Sequence, residues 1–200
     1  MSRFALALLA AAALAGPAVA QDARNFNGPF VGAQLGWQQD RQSLTTGTVP
    51  PATIRAKGDG FAYGSQIGYD ANLGSAVIGV EASITGRTGT NRFPTFDLEA
   101  GRTINLTGRA GFLATPSDLI YARGGYSNAR FSITNPAGPS ENRDGWTVGA
   151  GFEHALGRNL SARVEYNYAD YGDDLLPGAG GASRLNYHRH AVMTGLNLRF

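Results

Sequence analysis

The sequence predicts an all-β protein, an eight-stranded antiparallel up-and-down barrel that crosses a membrane. Three observations lead to this prediction: apolar and polar residues alternate with a period of two, long and short connections alternate between strands, and glycine is abundant. The 200-residue chain has 28 glycines, 10% aromatic residues and no cysteine. Successive strand side chains point to opposite faces of a sheet, so the alternation gives each strand one apolar face.

The beginning of the chain has the features of a secretory signal peptide. Arg3 supplies a positive charge, residues 4–15 are apolar, and Ala18 and Ala20 form a small-residue cleavage site. The apolar part is shorter than the ~20 residues that a spanning helix needs, so we expect cleavage rather than a retained anchor. The expected division is a signal peptide at 1–20, a polar periplasmic segment at 21–29 and the barrel at 30–200.

The first four strands are predicted from apolar residues at every second position. The first, residues 30–38, has Leu35 and Trp37 on its apolar face. The second, third and fourth are predicted at 61–70, at 76–86 and in a segment that ends at residue 113. Their lipid-facing positions include Tyr63, Ile67, Val80, Ile84, Leu106 and Phe112.

The fifth strand, residues 119–130, has the weakest alternation, and a charge decides its orientation. An outward Arg123 near the bilayer midplane would cost about 2–4 kcal/mol. Arg123 is therefore predicted to point inward with Tyr121, while Ile120 and Tyr126 point outward.

The clearest pattern is that of residues 145–172, GWTVGAGFEHALGRNLSARVEYNYADYG, which predict the sixth and seventh strands as a hairpin. Glycines and charged residues occupy one face of this hairpin, and Trp146, Val148 and Tyr168 are among the residues of the other. Such a polarity is typical of a sheet whose apolar face meets lipid. The eighth strand is predicted from residue 187 to residue 200.

The connections between the predicted strands alternate in length. An up-and-down barrel with short periplasmic turns and long external loops has this pattern, whereas a Greek-key sandwich does not. The long polar connections are predicted at 39–59, 87–97, 131–144 and 172–186.

Aromatic residues are predicted to form a girdle at each edge of the lipid-facing band, because amphipathic rings favour the membrane interface. The predicted external girdle comprises Trp37, Phe61, Tyr126, Trp146, Tyr168 and Tyr187. The predicted periplasmic girdle comprises Tyr69, Phe112, Phe152 and Phe200. A soluble sandwich gives no reason for aromatic residues to sort by height.

Three segments carry a resemblance to a known family: the hairpin quoted above, IYARGGYSNARF at 120–131 and HAVMTGLNLRF at 190–200. The chain resembles the small alphaproteobacterial outer-membrane β-barrel family of RopB-like proteins, whose architecture is that of the OmpA transmembrane barrel. The resemblance covers essentially the whole mature chain and implies eight strands without a second soluble domain. It implies little about activity, since that family includes structural, host-interaction and haemin-binding members.

The last predicted strand also resembles an assembly signal. Leu196, Leu198 and Phe200 share its outward face, as in the C-terminal signal that the barrel assembly machinery of the outer membrane reads. We therefore expect that machinery to be a partner of the chain.

The inward faces of the predicted strands carry charges. Eight strands leave an interior just wide enough for side chains, so buried charges must pair with one another. Arg109 and Arg163 are expected to form a network with Glu81 and Glu165, and a polar plug is favoured over a charged gate in a narrow pore. The full predicted interior ion network is Glu81, Arg109, Arg123, Glu153, Arg163 and Glu165.

His188 and His190 lie two residues apart, hence on one strand face at the external interface. With Arg184 and Arg189 nearby, they predict an interfacial patch that meets lipopolysaccharide phosphates. A metal or haem site would need further ligands, and His154 belongs at the opposite end. No metal-binding residue is predicted.

The remaining sequence features exclude several function classes. The 17 basic residues are scattered and nearly balanced by 15 acidic ones, so no nucleic-acid-binding face is predicted. No aligned Ser, His and acid of a lipid-modifying barrel enzyme occurs, and neither catalytic nor cofactor-binding residues are predicted. We expect a monomeric structural or surface protein of the cell outer membrane. Its expected partners are membrane lipids, lipopolysaccharide and, through the loops, an external ligand or host surface.

Two alternatives remain open at this stage. One is a narrow, low-conductance porin-like channel, and the other is an adhesin or a haem- or ligand-capturing surface protein. The loops show no periodic constraint, so the sequence does not name a ligand for them.

Overall fold

A computed structural model of the chain describes residues 25–45, 53–88, 90–92, 97–135, 137–176 and 183–200. The predicted signal peptide at 1–20 lies outside these residues, as does most of the segment predicted at 21–29. Within the described residues the chain forms nine β-strands: β1 (Gly28–Thr45), β2 (Thr53–Asn72), β3 (Ala76–Arg87), β4 (Thr90–Arg92), β5 (Asp97–Thr115), β6 (Asp118–Asn135), β7 (Ala137–Ala155), β8 (Leu160–Leu176) and β9 (Ser183–Arg199).

The strands close into an antiparallel barrel. Each long strand pairs with its neighbours in the chain, β1 also pairs with β9, and β3 pairs with β5. The short β4 pairs only with the external end of β5, where it follows β3. Eight long strands therefore form the closed wall, which confirms the predicted fold class. In the described part of the chain, no helix has the length and apolar character to cross a membrane.

The strands are longer than predicted. Most of the predicted connection at 39–59 is strand, with β1 and β2 paired from Gln39↔Asp59 to Thr45↔Thr53. The connections predicted at 131–144 and 172–186 are likewise largely strand. Beyond the lipid the outer face of a strand no longer meets hydrocarbon, so the apolar–polar alternation ends while backbone pairing continues. The turns at the periplasmic end remain short, at 73–75, 116–117 and 156–159.

The two faces of the barrel separate as the alternation predicts. Leu35, Tyr63, Val80 and Leu106 are exposed on the outer surface, as are the other large apolar residues of the wall. Arg123 on β6 is buried in the interior, which agrees with the parity inferred from the cost of placing it in lipid. The apolar side chains of the wall therefore contact lipid on the outside of the barrel, where those of a soluble protein would pack into a core.

The aromatic residues mark the edges of this apolar band, with one exception. At the external edge Trp37, Phe61, Tyr126 and Trp146 are exposed, and the ring of Tyr168 lies 5.6 Å from that of Trp146. At the periplasmic edge the exposed rings are those of Tyr69, Phe112, Phe152 and Phe200. Leu196 and Leu198 are also exposed on the outer face of β9. The exception, Tyr187, lies inside the barrel.

Candidate functional site: the charged interior of the barrel

The barrel interior contains charged residues in three stacked groups. In each strand the residues that alternate with the lipid-facing ones point inward. An eight-stranded barrel has room in its interior for side chains alone. From the periplasmic end outward we call these groups the lower, middle and upper clusters. Each is held by side chains from at least three strands.

The lower cluster consists of Asp70, Arg109, Glu153 and Arg199. Arg109 donates from Nε to Asp70 Oδ1 at 2.7 Å and from Nη1 to Glu153 Oε2 at 2.9 Å. Arg199 donates to Asp70 Oδ2 at 2.6 Å and to Glu153 Oε1 at 2.8 Å. Two guanidinium groups and two carboxylates thus form a closed ring with balanced charge, as buried ions require.

Neutral side chains complete the coordination of Glu153. Ser161 Oγ donates to Glu153 Oε1 at 2.5 Å, and Asn197 Nδ2 donates to the same oxygen at 3.0 Å. Gln66 Nε2 in turn donates to Asn197 Oδ1 at 2.7 Å. These bonds hold the carboxylate in one orientation between its two arginines.

Aromatic rings cover the lower cluster. The guanidinium carbon of Arg109 lies 4.8 Å from the ring centre of Phe30, and that of Arg199 lies 5.2 Å from the ring centre of Phe26. Cations over ring faces are attracted by the ring quadrupole. Phe26 is 1% exposed and packs with Val77, Leu119 and Tyr121. This apolar layer closes the periplasmic end of the barrel.

The segment that carries Phe26 is fixed to the periplasmic turns. Asn25 Nδ2 donates to the carbonyl of Pro116 at 2.8 Å, and Asn72 Nδ2 donates to the carbonyl of Asn25 at 2.7 Å. The Asn72 amide also donates to Asn27 Oδ1 at 3.1 Å. Phe26 itself has φ = 59°, a left-handed conformation that is uncommon outside glycine. The sequence predicts a polar segment here, and the inserted ring is what sequence reasoning missed.

The middle cluster consists of Glu81, Arg123, Arg163 and Glu165. Arg163 donates to both oxygens of Glu81, at 2.5 and 3.2 Å. Arg123 Nη1 bridges the two acids, at 2.9 Å from Glu81 Oε1 and 2.7 Å from Glu165 Oε1. The four formal charges again balance.

Polar side chains surround the middle cluster. Tyr121 OH donates to Glu165 Oε2 at 2.7 Å, and Asn167 Nδ2 donates to Glu165 Oε1 at 2.6 Å. Arg123 Nη2 donates to Thr107 Oγ1 at 2.9 Å. Because Tyr121 also stacks against Arg109 at 5.1 Å, its ring separates the lower cluster from the middle one.

The upper cluster lies towards the external end and contains Asp40, Arg87 and Arg189. Arg87 Nη1 donates to Asp40 Oδ2 at 2.9 Å, and Arg189 Nε donates to Asp40 Oδ1 at 2.8 Å. Arg189 Nη1 also donates to Thr103 Oγ1 at 2.6 Å. All three charged side chains are buried.

Two tyrosines flank Arg189, and one of them corrects the predicted girdle. Arg189 Nη2 donates to Tyr187 OH at 2.8 Å, and the Tyr171 and Tyr187 ring centres are 5.3 Å apart. Placing Tyr187 in the external girdle is wrong, because odd-numbered residues of β9 face the interior and Leu196 and Leu198 face lipid. The same parity puts Arg189 inside, so it cannot join an outer patch with the histidines.

A cavity of about 50 Å³ separates the middle and upper clusters. Its wall includes Arg123 and Asn167, whose Nε and Oδ1 atoms are buried without a hydrogen-bond partner. Small side chains such as Ala62, Ala169 and Ala191 provide the space. Such a polar cavity has room for a few water molecules, which can satisfy both atoms.

The structure brings the predicted ion network together only in part. All six predicted residues lie inside, but Arg109 and Glu153 belong to the lower cluster and the other four to the middle cluster. Arg109 therefore pairs with neither Glu81 nor Glu165, contrary to the prediction. The partners that the sequence reading missed are Asp40, Asp70, Arg87, Arg189 and Arg199.

A usable signal existed for three of these missed residues. Asp70 shares the inward parity of Gln66, and Arg189 and Arg199 share that of Asn197. Asp40 and Arg87 lie in the predicted connections at 39–59 and 87–97, which have no strand parity. Among the described residues no group of three metal-ligating side chains occurs.

Comparisons with known proteins agree with this geometry. A family model described as "Outer membrane protein beta-barrel domain" matches residues 5–200. The 25 kDa outer-membrane immunogenic protein of Brucella canis is 26% identical over 179 residues, which cover 89% of this chain and 79% of that protein. The 22 kDa outer membrane protein of Rhizobium leguminosarum bv. viciae is 27% identical over 150 residues, covering 70% of this chain and 67% of the relative. Neisserial surface protein A has a similar fold, with a TM-score of 0.53, 16% identity and coverage of 87% of this chain and 98% of that chain.

Proposed function

We propose that this chain, which belongs to the outer-membrane protein β-barrel family and resides in the cell outer membrane, is a closed structural barrel rather than an open pore. The observation that carries the proposal is the occupied interior. Two charge-balanced clusters cross the barrel one above the other, and the Phe26 layer lies beneath them. The barrel then serves as an anchor in the membrane, with the external strand ends as its functional face.

The energetics of the clusters favour a plug over a gate. Every carboxylate of the lower and middle clusters is bonded to at least one arginine. Moving one arginine aside would leave an uncompensated buried charge, at a cost of about 3–5 kcal/mol. Because two such clusters lie in series, a continuous water path needs both to open together with the aromatic layer.

Conductance of the purified protein in planar lipid bilayers tests the proposal. We expect no discrete openings from the wild-type barrel. A variant that combines Phe26→Ala with Arg109→Ala, Glu153→Ala, Glu81→Ala and Arg163→Ala removes a charge-balanced pair from each cluster and provides the comparison. Its fold is checked by heat-modifiable migration on gels. Reproducible discrete openings of the wild-type protein would overturn the proposal.

A narrow channel is the second candidate, and the cavity above the middle cluster is the observation that favours it. The unpartnered Arg123 Nε and Asn167 Oδ1 face water-sized space, as they would in a partly hydrated path. In that case the wild-type protein conducts, and Glu81→Gln alters its ion selectivity.

The external strand ends support a surface role. β1 and β2 remain paired for seven rows beyond the row of Gln38, from Gln39↔Asp59 to Thr45↔Thr53. At about 3.3 Å per residue along a tilted strand, this hairpin projects well past the external girdle. We propose lipopolysaccharide, membrane lipids and an external ligand or host surface as its partners, without catalysis. The Brucella relative is named as an immunogenic protein, which is consistent with surface exposure in the family.

Replacing the external ends of these strands tests the surface role. A variant with residues 42–56 exchanged for a short turn retains the girdle and the interior clusters. We expect normal assembly and reduced binding of whole cells to a surface that the wild-type protein recognises. Unchanged binding would dismiss this hairpin as the contact.

A further inference from the structure

The outer surface of β1 and β9 changes from apolar to polar within one row of the sheet. Trp37 lies opposite Val192, the next outward pair is Gln39 with His190, and the one after that is Arg41 with His188. Residues directly opposite in a sheet have side chains within about 5 Å at their Cβ atoms. One cation and two imidazoles therefore lie together at the external aromatic girdle, where Tyr168 is opposite His190.

The depth of this group matches the lipid headgroup layer. His190 is two residues beyond Val192, and Arg41 is four residues beyond Trp37. With a rise of about 3.3 Å per residue and a strand tilt of about 40°, these positions lie roughly 5 and 10 Å outside the hydrocarbon. The polar layer on each side of a bilayer is about 5–8 Å thick. His190 therefore lies within this layer, and Arg41 and His188 lie just beyond its outer edge. The long side chain of Arg41 can reach back from there to lipid phosphates.

Two tyrosines orient the histidines. His190 Nδ1 lies 2.7 Å from Tyr166 OH, and His188 Nδ1 lies 3.0 Å from Tyr168 OH. When a tyrosine hydroxyl donates to Nδ1, the neutral ring carries its proton on Nε2 and can donate it to an anion. Neither Nε2 has a hydrogen-bond partner among the described residues.

Arg41 adds the strongest anion-binding group. It is exposed, and its Nε donates to Gln39 Oε1 at 3.1 Å, which orients the guanidinium across the sheet surface. No carboxylate of the described residues forms an ion pair with it. The planar guanidinium group suits the bidentate recognition of phosphate.

Other charged groups around the histidines contribute to the charge of this surface. Asp170 Oδ2 lies 3.4 Å from His188 Nδ1, and its Oδ1 accepts from the Gly172 amide at 2.8 Å. On β2, Asp59 is opposite Gln39 and Lys57 is opposite Arg41. Protonation of His188 and His190 adds positive charge to this surface and favours anions.

We propose that Arg41, His188 and His190 bind the phosphate of an outer-leaflet glycolipid headgroup, and that binding strengthens on acidification. This deepens the proposed contact with lipopolysaccharide and does not depend on whether the barrel conducts. It also corrects the patch predicted from His188, His190, Arg184 and Arg189, because the fold turns Arg189 inward to Asp40 and places Arg41 opposite His188.

The test uses the full chain in nanodiscs of zwitterionic phospholipid, titrated with lipid A or with dephosphorylated lipid A. Chemical shifts of ¹⁵N-labelled histidine report the site. We expect lipid A to shift both histidines, with a higher affinity at acidic than at neutral pH, and dephosphorylated lipid A to shift neither. Arg41→Gln should weaken binding about tenfold.

The control is Arg102→Gln, which removes the charge of an exposed arginine on β5. The site would be overturned if Arg102→Gln and Arg41→Gln lost the same affinity for lipid A. It would also be overturned if the wild-type protein bound lipid A and dephosphorylated lipid A equally well. Inorganic phosphate is titrated in parallel, and equal histidine shifts by it would overturn the lipid assignment. His188→Gln with His190→Gln should abolish the pH dependence while heat-modifiable folding is retained. The conductance experiment fails or succeeds independently of all these outcomes.

Discussion

Arg109 on β5 pairs with Asp70 on β2 across the intervening strand β3, donating from Nε to Oδ1 at 2.7 Å. The residue between them in the same row is Gly79, which is opposite Asp70 on one side and Arg109 on the other. The missing side chain of Gly79 is what lets the two charges meet. The lower cluster therefore depends on a glycine that carries no charge itself.

Gly79→Ala tests this dependence. A Cβ at Gly79 would lie 2.2 Å from Asp70 Oδ1 and 2.7 Å from the backbone oxygen of Tyr69, so the ion pair or the strand must shift. We expect the free energy of unfolding in phospholipid vesicles to fall by about 1–3 kcal/mol. Gly157→Ala is the control, because a Cβ there meets nothing within 4 Å. Equal stability of both variants would contradict the role assigned to Gly79.

Glu153→Gln removes the acid that joins two arginines in the lower cluster. The variant keeps the shape of the side chain but leaves Arg109 and Arg199 undercompensated, at an expected cost of about 3–5 kcal/mol. Urea unfolding in vesicles, followed by tryptophan fluorescence, measures this cost. Asp144→Asn makes the same chemical change at an exposed external position and should cost less than about 1 kcal/mol. A smaller loss for Glu153→Gln than for Asp144→Asn would refute the cluster's contribution.

Phe26→Ala removes the ring that closes the periplasmic end. Truncating a buried phenylalanine typically costs about 3–5 kcal/mol, and Phe26 additionally contacts Arg199 through its ring face. We expect a large loss of stability, and a smaller one for Phe26→Leu. Phe152→Ala, at an exposed ring of the same edge, is the matched control. The layer would not be sealing the barrel if Phe26→Ala left amide hydrogen exchange at Arg199 unchanged.

Asp118 makes part of the stability depend on pH. The hydroxyl of Thr115 donates to Asp118 Oδ2 at 2.5 Å, and His154 Nδ1 lies 2.7 Å from Oδ1. The Thr115 hydrogen bond, followed by that of His154, lowers the pKa of Asp118 below its ordinary value. A lowered folded-state pKa stabilises the protein above the unfolded-state pKa and loses this effect as the pH falls through the folded-state pKa.

The measurement compares wild type with Asp118→Asn. We expect wild type to be the more stable protein near pH 7. The difference should shrink as the pH falls through the folded-state pKa of Asp118, below which the carboxyl is protonated in both states. Comparing the two proteins at each pH cancels the titration of the other acids. A difference that grows on acidification would show that the sign is wrong.

The alternation of apolar and polar residues by itself predicts much of the fold. Apolar residues at every second position identified the strands and their lipid face, and the cost of an arginine in lipid fixed the inward direction of Arg123. The alternation does not predict strand lengths, because residues 39–45 lie beyond the apolar band and lose the alternation while they remain paired with β2. Nor did a polar composition at 21–29 indicate that one ring, Phe26, enters the barrel.

Which charges are inside was therefore determined by the sequence, because lipid outside the barrel forces them inward. Which charges pair was decided by the tertiary structure, because the register of the closed sheet sets the height of every interior residue. Arg109 meets Asp70 rather than Glu81 because the register puts both residues in the row of Gly79, which has no side chain between them. In the same way, pairing of β1 with β9 sets Arg41 beside His188, while Arg189 turns to Asp40 inside the wall.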